Sequence, residues 1–232
     1  VKGEPLPPRP VPGINEQLAA LVQHNVLEML GRDPTLTRAL DLIRQAYAWT
    51  DGLIERFEAD TPLPHPIACQ PGCAFCCHNQ IEVIPLEALA IGSHIQALPR
   101  EEQTVLKERL SASVASRAGR TKHDIARSRR DFPCPFLSQG LCAIYPVRPL
   151  VCRAMHSLDA ESCRLSLGDE NLSPDRYYLH RDEIVRSVIT GLAAGCREAG
   201  CQAAPLDLAR AVQEFLQEPQ QVMERWLHKK PC

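Results

Sequence analysis

Apolar residues recur with a helical period over much of the chain. Leu18, Val22, Val26 and Met29 fall on one helix face, and Gly31 is placed to end that helix. Asp33 and Pro34 read as the N-cap and first helical position of a longer helix. Its stripe, Leu36, Leu40, Ile43, Tyr47, Thr50, Ile54 and Phe57, alternates steps of four and three, the pattern of a helix packed on another helix. Residues 61–66 (TPLPHP) break the pattern with three prolines. Beyond them Ile81 to Ile84 reads as a short strand and Pro85 opens a helix to about Leu98. A further helix from about Arg100 carries Leu106, Leu110 and Val114 at four-residue spacing.

The stretch 131–172 has no sustained period and is punctuated by Pro133, Pro135, Gly140, Pro146, Pro149 and Gly168, so it reads as loop that needs an external clamp. Ser173 and Pro174 are expected to start a helix through Ile184, Val188 and Leu192, ending near Gly195 or Gly200. Residues 206–228 are expected to be helical with Leu208, Val212 and Phe215 inward. The expected fold is mainly α, with helices packed around a loop-rich cysteine/metal core and at most a short β-hairpin. It divides into a Pro-rich disordered tail (1–13), an N-terminal helical pair (14–60), a cysteine-cluster metal-binding domain (61–172) and C-terminal helices packing on it (173–232).

Charge adds little: 26 Lys and Arg against 28 Asp and Glu leave a formal −2, so neither a nucleic-acid partner nor an acidic tail is expected. No run of 18 apolar residues could span a membrane, and residues 1–13 lack the apolar core of a secretory signal. A cytoplasmic location with reduced thiols is therefore expected.

The cysteines change the picture. There are 11, an odd number that cannot pair completely within one chain, and none precedes residue 69. Cys69, Cys73, Cys76 and Cys77 fall within nine residues; Cys134, Cys142, Cys152 and Cys163 are spread over the aperiodic segment. Two cysteines separated by two residues fit a turn in which both thiolates converge on one metal. The adjacent Cys76 and Cys77 leave the backbone in different directions, which suits a multinuclear cluster or two neighbouring metals better than one ion. Eight thiolates are the count for two tetrathiolate sites or for one larger cluster with spare ligands. Both an iron–sulfur cluster and zinc stay open as cofactors, with iron–sulfur preferred for the adjacent pair and the Cys134-Pro135 step.

These residues, together with Gly140-Leu-Cys142-Ala-Ile-Tyr145, Arg148-Pro149-Leu-Val-Cys152-Arg153 and Cys163-Arg164, resemble the YkgJ-type cysteine-cluster family over about residues 69–164. The resemblance implies a zinc- or iron-chelating domain with eight characteristic cysteines. Members of that family are often labelled Fe–S oxidoreductases, and flagellin lysine N-methylases carry a similar cluster. Two features depart from the pattern. The first gap holds three residues where shorter members often have two, and Ala-Met-His follows Arg153 where many have an aromatic residue.

The expected function is thus metal binding through the eight cysteines, with a redox or transferase role. A zinc-stabilised interaction module without catalysis is the alternative, with metal ions and an unidentified protein as partners. Cys69 to Cys76 also matches the three-cysteine signature of radical S-adenosylmethionine enzymes, Phe75 included. The residues after Cys77, however, lack the alternating strands and helices of that fold, and Cys77 is a competing ligand.

Arg148, Arg153 and Arg164 are candidates to offset thiolate charge, Arg148 and Arg153 foremost as cofactor-binding residues. His65, His78 and His156 are candidates to replace or support a thiolate. The basic run Arg117, Arg120, Lys122, Arg127, Arg129 and Arg130 reads as a solvated helix face, since no aromatic residue interleaves to stack on bases. Cys196, Cys201 and Cys232 read as ordinary thiols. His180-Arg-Asp182 has the letters of a kinase catalytic loop without its companions, and no residue is assigned as catalytic.

Overall fold

The computed structural model describes residues 13–31, 33–169, 172 and 177–227. Ser173 and Pro174, residues 1–12 and Cys232 lie outside the described residues. Among the described residues the chain is mainly α, with ten helices and two small antiparallel strand pairs.

Helix α1 (Glu16–Leu30) begins where the Asn15 side chain accepts from the Leu18 N–H at 3.0 Å, and it stops at Gly31, whose φ of 61° only glycine adopts freely. Helix α2 (Leu36–Asp60) starts two residues later than the Asp33–Pro34 reading placed it. Extended Thr35 supplies the cap, its hydroxyl accepting from the Arg38 N–H, while the Asp33 carbonyl is taken by the Arg38 guanidinium. The expected stripe is buried at Ile43, Tyr47, Thr50 and Ile54. Phe57 instead stays partly exposed and stacks on His180, with ring centroids 4.3 Å apart.

Helix α1 makes its largest interface with α8 (Leu179–Glu198) and a smaller one with α2. Two glycines of α8 permit this approach. A methyl on Gly191 would run into the Ala19 carbonyl and the Val22 side chain, and one on Gly195 into Val26. Helix α3 (Pro85–Ala97) is the centre of the body and is buried on nearly every side, with Leu86, Leu89, Ile91 and Ile95 inaccessible. It packs on α9 (Leu208–Gln217), whose Phe215 ring lies against Gly92; α4 (Arg100–Arg117) lies across α9 as well.

Strand β1 (Glu82–Val83) pairs antiparallel with β4 (Leu206–Asp207), tying the residues after the first cysteine run to the C-terminal helices. The aperiodic stretch contains more regular structure than its sequence suggested. A hairpin joins β2 (Leu137–Ser138) to β3 (Leu141–Cys142), and two short helices follow, α6 (Leu150–Ala154) and α7 (Ala160–Gly168). The helices are too short, and the hairpin too small, to leave a period in the sequence. Helix α5 (Lys122–Arg127) precedes them, and α10 (Pro219–Leu227) ends the described chain.

Helices α2 and α8 are also joined by a polar cluster. Glu58 accepts both forks of the Arg181 guanidinium, at 2.6 and 2.8 Å, and pairs with His180 at 2.8 Å. The Arg181 hydrogen bonds hold its carboxyl down at about 2, from an ordinary 4.5. Its contribution to stability is therefore complete above pH 4.5 and is lost as pH falls through about 2. Urea unfolding of Glu58→Gln is expected to show a deficit at neutral pH that closes in that acid window. Gly191→Ala is expected to destabilise the chain by about 1–3 kcal/mol, because the added methyl meets backbone and not a side chain that can turn away; the same urea titration reads it.

Candidate metal centre

Four short segments carry the cysteines. The loop before Cys69 is pinned by the Ala68 N–H, which donates to the Ser157 carbonyl at 2.9 Å beyond α6. A turn closes from the Cys73 N–H to the Gln70 carbonyl, with Gly72 at φ 92°, and a single 3-10 turn, Phe75–His78, then carries Cys76 and Cys77. The Cys134 N–H donates to the Cys77 carbonyl at 2.7 Å, so the second group begins directly against the first. Cys142 ends the hairpin, Cys152 sits on α6 and Cys163 on α7.

Several of the thiols lie within electrostatic reach of one another. Cys76 shares a side-chain hydrogen bond with Cys77, which together with burial pushes its thiol strongly up. Cys76 also acts on Cys69, Cys134, Cys142 and Cys152. Burial raises Cys134 to about 11 and raises Cys152 as well, with neighbouring cysteines adding to the rise. Cys69 feels Cys73, Cys76 and Cys163. Without a cation Cys76, Cys134 and Cys152 stay protonated, and a bound metal would supply the charge that makes thiolates favourable here.

Thiols are the donors a soft metal takes, and Arg148 favours the thiolate at Cys76 and Cys142 and Arg117 favours it at Cys134. Among the described residues no three His, Cys, Asp or Glu side chains are arranged ready to hold an ion. Cys69, Cys73, Cys76 and Cys163 line a cavity of about 430 Å³, with His156 and Asp182 on its wall.

The remaining candidates sort by their partners. His156 uses both ring nitrogens: Nδ1 donates to the Ala154 carbonyl at 2.7 Å and Nε2 accepts from the Tyr178 N–H at 2.7 Å. That fixes a neutral tautomer with no lone pair to spare, and burial lowers its pKa. His78 points Nδ1 at the Arg129 carbonyl, 3.3 Å away. His65 meets Tyr178 through its backbone alone. Arg153 is buried under α2, paired with Asp51, 4.2 Å above the Tyr47 ring and bonded to the carbonyls of Pro146 and Arg148. Arg148 lies 4.2 Å over the Tyr145 ring, and Arg164 pairs with Glu161 at the surface. Cys196 and Cys201 are buried in the helical body, away from the cysteine cavity; the Cys201 thiol donates to the Leu227 carbonyl at 3.4 Å.

Two supports escaped the sequence reading. The basic run is not simply a solvated face. Arg129 donates to the Asn79 side chain at 2.8 Å and to both the carbonyl and hydroxyl of Ser166, whose own hydroxyl donates to the Cys163 carbonyl. Arg117 reaches the carbonyls of Phe132 and Pro133, just ahead of Cys134. The second support is Glu87, a buried carboxylate at the start of α3. It accepts the N–H groups of Ile84 and Leu150, the latter at 2.7 Å, and so locks α6 to α3; burial lifts its pKa to about 7. Carbonyls as partners left no signal for Arg129 in the sequence, and Glu87 looked like an ordinary first-turn acid.

Residues 68–166 match the CxxCxxCC family model, described as a "putative zinc- or iron-chelating domain". No curated protein and no solved structure matches the chain.

Arg129→Gln is expected to weaken metal binding by about 10–100-fold, because it frees the turn after Cys77 from the helix of Cys163. Competition against a calibrated chelator measures it.

Proposed function

We propose that residues 69–163 hold a metal–thiolate centre through Cys69, Cys73, Cys76, Cys77, Cys134, Cys142, Cys152 and Cys163, with an iron–sulfur cluster as the occupant and a redox or group-transfer role. The observation that carries this reading is that the two halves of the segment meet at the adjacent pair: the Cys134 N–H donates to the Cys77 carbonyl at 2.7 Å, while Cys76 lines one cavity with Cys69, Cys73 and Cys163. The match to a zinc- or iron-chelating domain supports the metal in general terms. The cavity beside four of the thiols supports a working centre over a purely structural clamp, since structural sites are closed on all sides.

A cluster there supplies electron transfer. The chain's own residues supply the setting: Arg148 favours thiolate at Cys76 and Cys142, and neutral His156 presents no charge to the cavity. The second reading is zinc as a structural clamp presenting an interaction surface. It is favoured by residues 155–169, among which the buried residues are Ser157 and Ser166 and no apolar side chain is buried to hold α7.

Anaerobic purification followed by metal analysis and a visible spectrum separates the two. Iron and sulfide with visible absorption are expected; two zinc per chain without colour would overturn the iron–sulfur reading. Cys76→Ser is expected to lower metal content more than any other single replacement among the eight, and full retention of metal in that variant removes Cys76 from the ligand set.

A further inference from the structure

We propose that the Tyr178 hydroxyl is a positioning group for the cysteine centre: it clasps the backbone of His65 and so fixes the approach of the chain to Cys69. The inference rests on the metal-binding reading above and deepens it, by naming a residue outside the cysteine segment that sets up the site.

The approach needs such a clasp. Helix α2 ends at Asp60, and no helix or strand intervenes before the 3-10 turn at Phe75, so the backbone groups between them have no ladder to satisfy them. Pro62, Pro64 and Pro66 carry no N–H at all and disfavour helical backbone at Leu63 and His65. His65 therefore presents an N–H and a carbonyl whose partners must come from elsewhere in the fold. A hydroxyl can meet both, because it donates and accepts at one atom. The Tyr178 Oη accepts from the His65 N–H at 2.8 Å and donates to the His65 carbonyl at 2.6 Å. Shortly after, the Ala68 N–H donates to the Ser157 carbonyl at 2.9 Å, and Cys69 follows at once.

Tyr178 is itself firmly held. It caps the start of α8, and its N–H donates to His156 Nε2 at 2.7 Å, while His156 Nδ1 donates to the Ala154 carbonyl. Its ring is stacked on the His156 ring, with centroids 5.9 Å apart and planes 11° apart. The His180 ring lies 5.8 Å from it, and His180 pairs with Glu58 near the end of α2. The hydroxyl is thus aimed by α8, by α2 and by the residues after α6. Those last residues also supply the Ala68 tether, since Ser157 follows His156 in sequence. Cys69 lines the cavity with Cys73, Cys76, Cys163 and His156, so a shift of the approach moves one thiol relative to the other three.

Tyr178→Phe removes the hydroxyl and keeps both the ring and the backbone N–H. The contact with His65 is exposed, so the substitution leaves the apolar core intact. The experiment uses the full chain as isolated anaerobically. Hydrogen exchange read by mass spectrometry compares the peptide over residues 62–72 with one over α3, and titration with ethylenediaminetetraacetate reads metal retention.

Tyr178→Phe is expected to speed exchange over residues 62–72 by about tenfold, the effect of losing two hydrogen bonds, and to leave α3 and the melting temperature nearly unchanged. Half-removal of the metal is expected to need about tenfold less chelator. His65→Ala is expected to match the parent in both measurements, because only the backbone of His65 is clasped. Unchanged exchange in Tyr178→Phe overturns the clasp, and faster exchange with undiminished metal retention overturns its role in positioning. Loss of metal in His65→Ala with ordinary exchange makes that side chain a ligand and likewise overturns the proposal. A parent chain isolated without metal overturns the metal reading instead, and the exchange comparison then decides the clasp by itself.

Discussion

Thiols that must ionise while close together and partly buried are the constraint on which the rest of this structure depends. Desolvation and mutual repulsion both hold Cys76, Cys134 and Cys152 in the protonated form. The chain offsets this only in part, with Arg148 and Arg117 beside some of the sulfurs. The remaining charge has to come from a cation. The protein's own contribution is the set of hydrogen-bonded straps that position the cysteine-bearing segments.

Those straps divide the molecule by the kind of force in use. The helical body is held by apolar contact, dense enough that Gly92, Gly191 and Gly195 have no room for a methyl. The cysteine segment adds directional polar bonds to the apolar contact it makes with that body at Phe136, Ile144, Leu150 and Ala154. Glu87 binds α6 to α3, Arg153 binds α6 to α2 through Asp51, and Arg129 spans from Asn79 to Ser166. A buried carboxylate such as Glu87 is costly unless its oxygens are met, and here they are met by two N–H groups that would otherwise be orphaned at helix starts.

The sequence made some of this legible. Helices α1, α3 and α4 and the cysteine segment could be read because periodicity and clustering are local signals. The match over residues 68–166 agrees with the resemblance carried by the cysteine spacing. What could not be read is long-range. Nothing local to Glu82 announces Asp207 as its strand partner, and the pairing of α1 with α8 depends on small residues whose meaning appears only when the helices meet. Arg129 sat within a run of basic residues that looked uniform, although Arg117, Lys122 and Arg129 each have a different partner. His156 was an open candidate ligand until both its nitrogens were found engaged.

The Asn15 N–H donates to the Ser187 hydroxyl, a contact between residues 172 positions apart, and it lies in the α1–α8 interface. A ribosome has therefore made the whole cysteine segment before that interface can form. During synthesis the sulfurs emerge onto a chain whose body is not yet closed, so cellular oxidants and metal donors meet them ahead of the finished fold. The order of biogenesis is written into the topology: α1 and α2 are made first, the cysteine segment next, and α8, against which α1 packs, only after both.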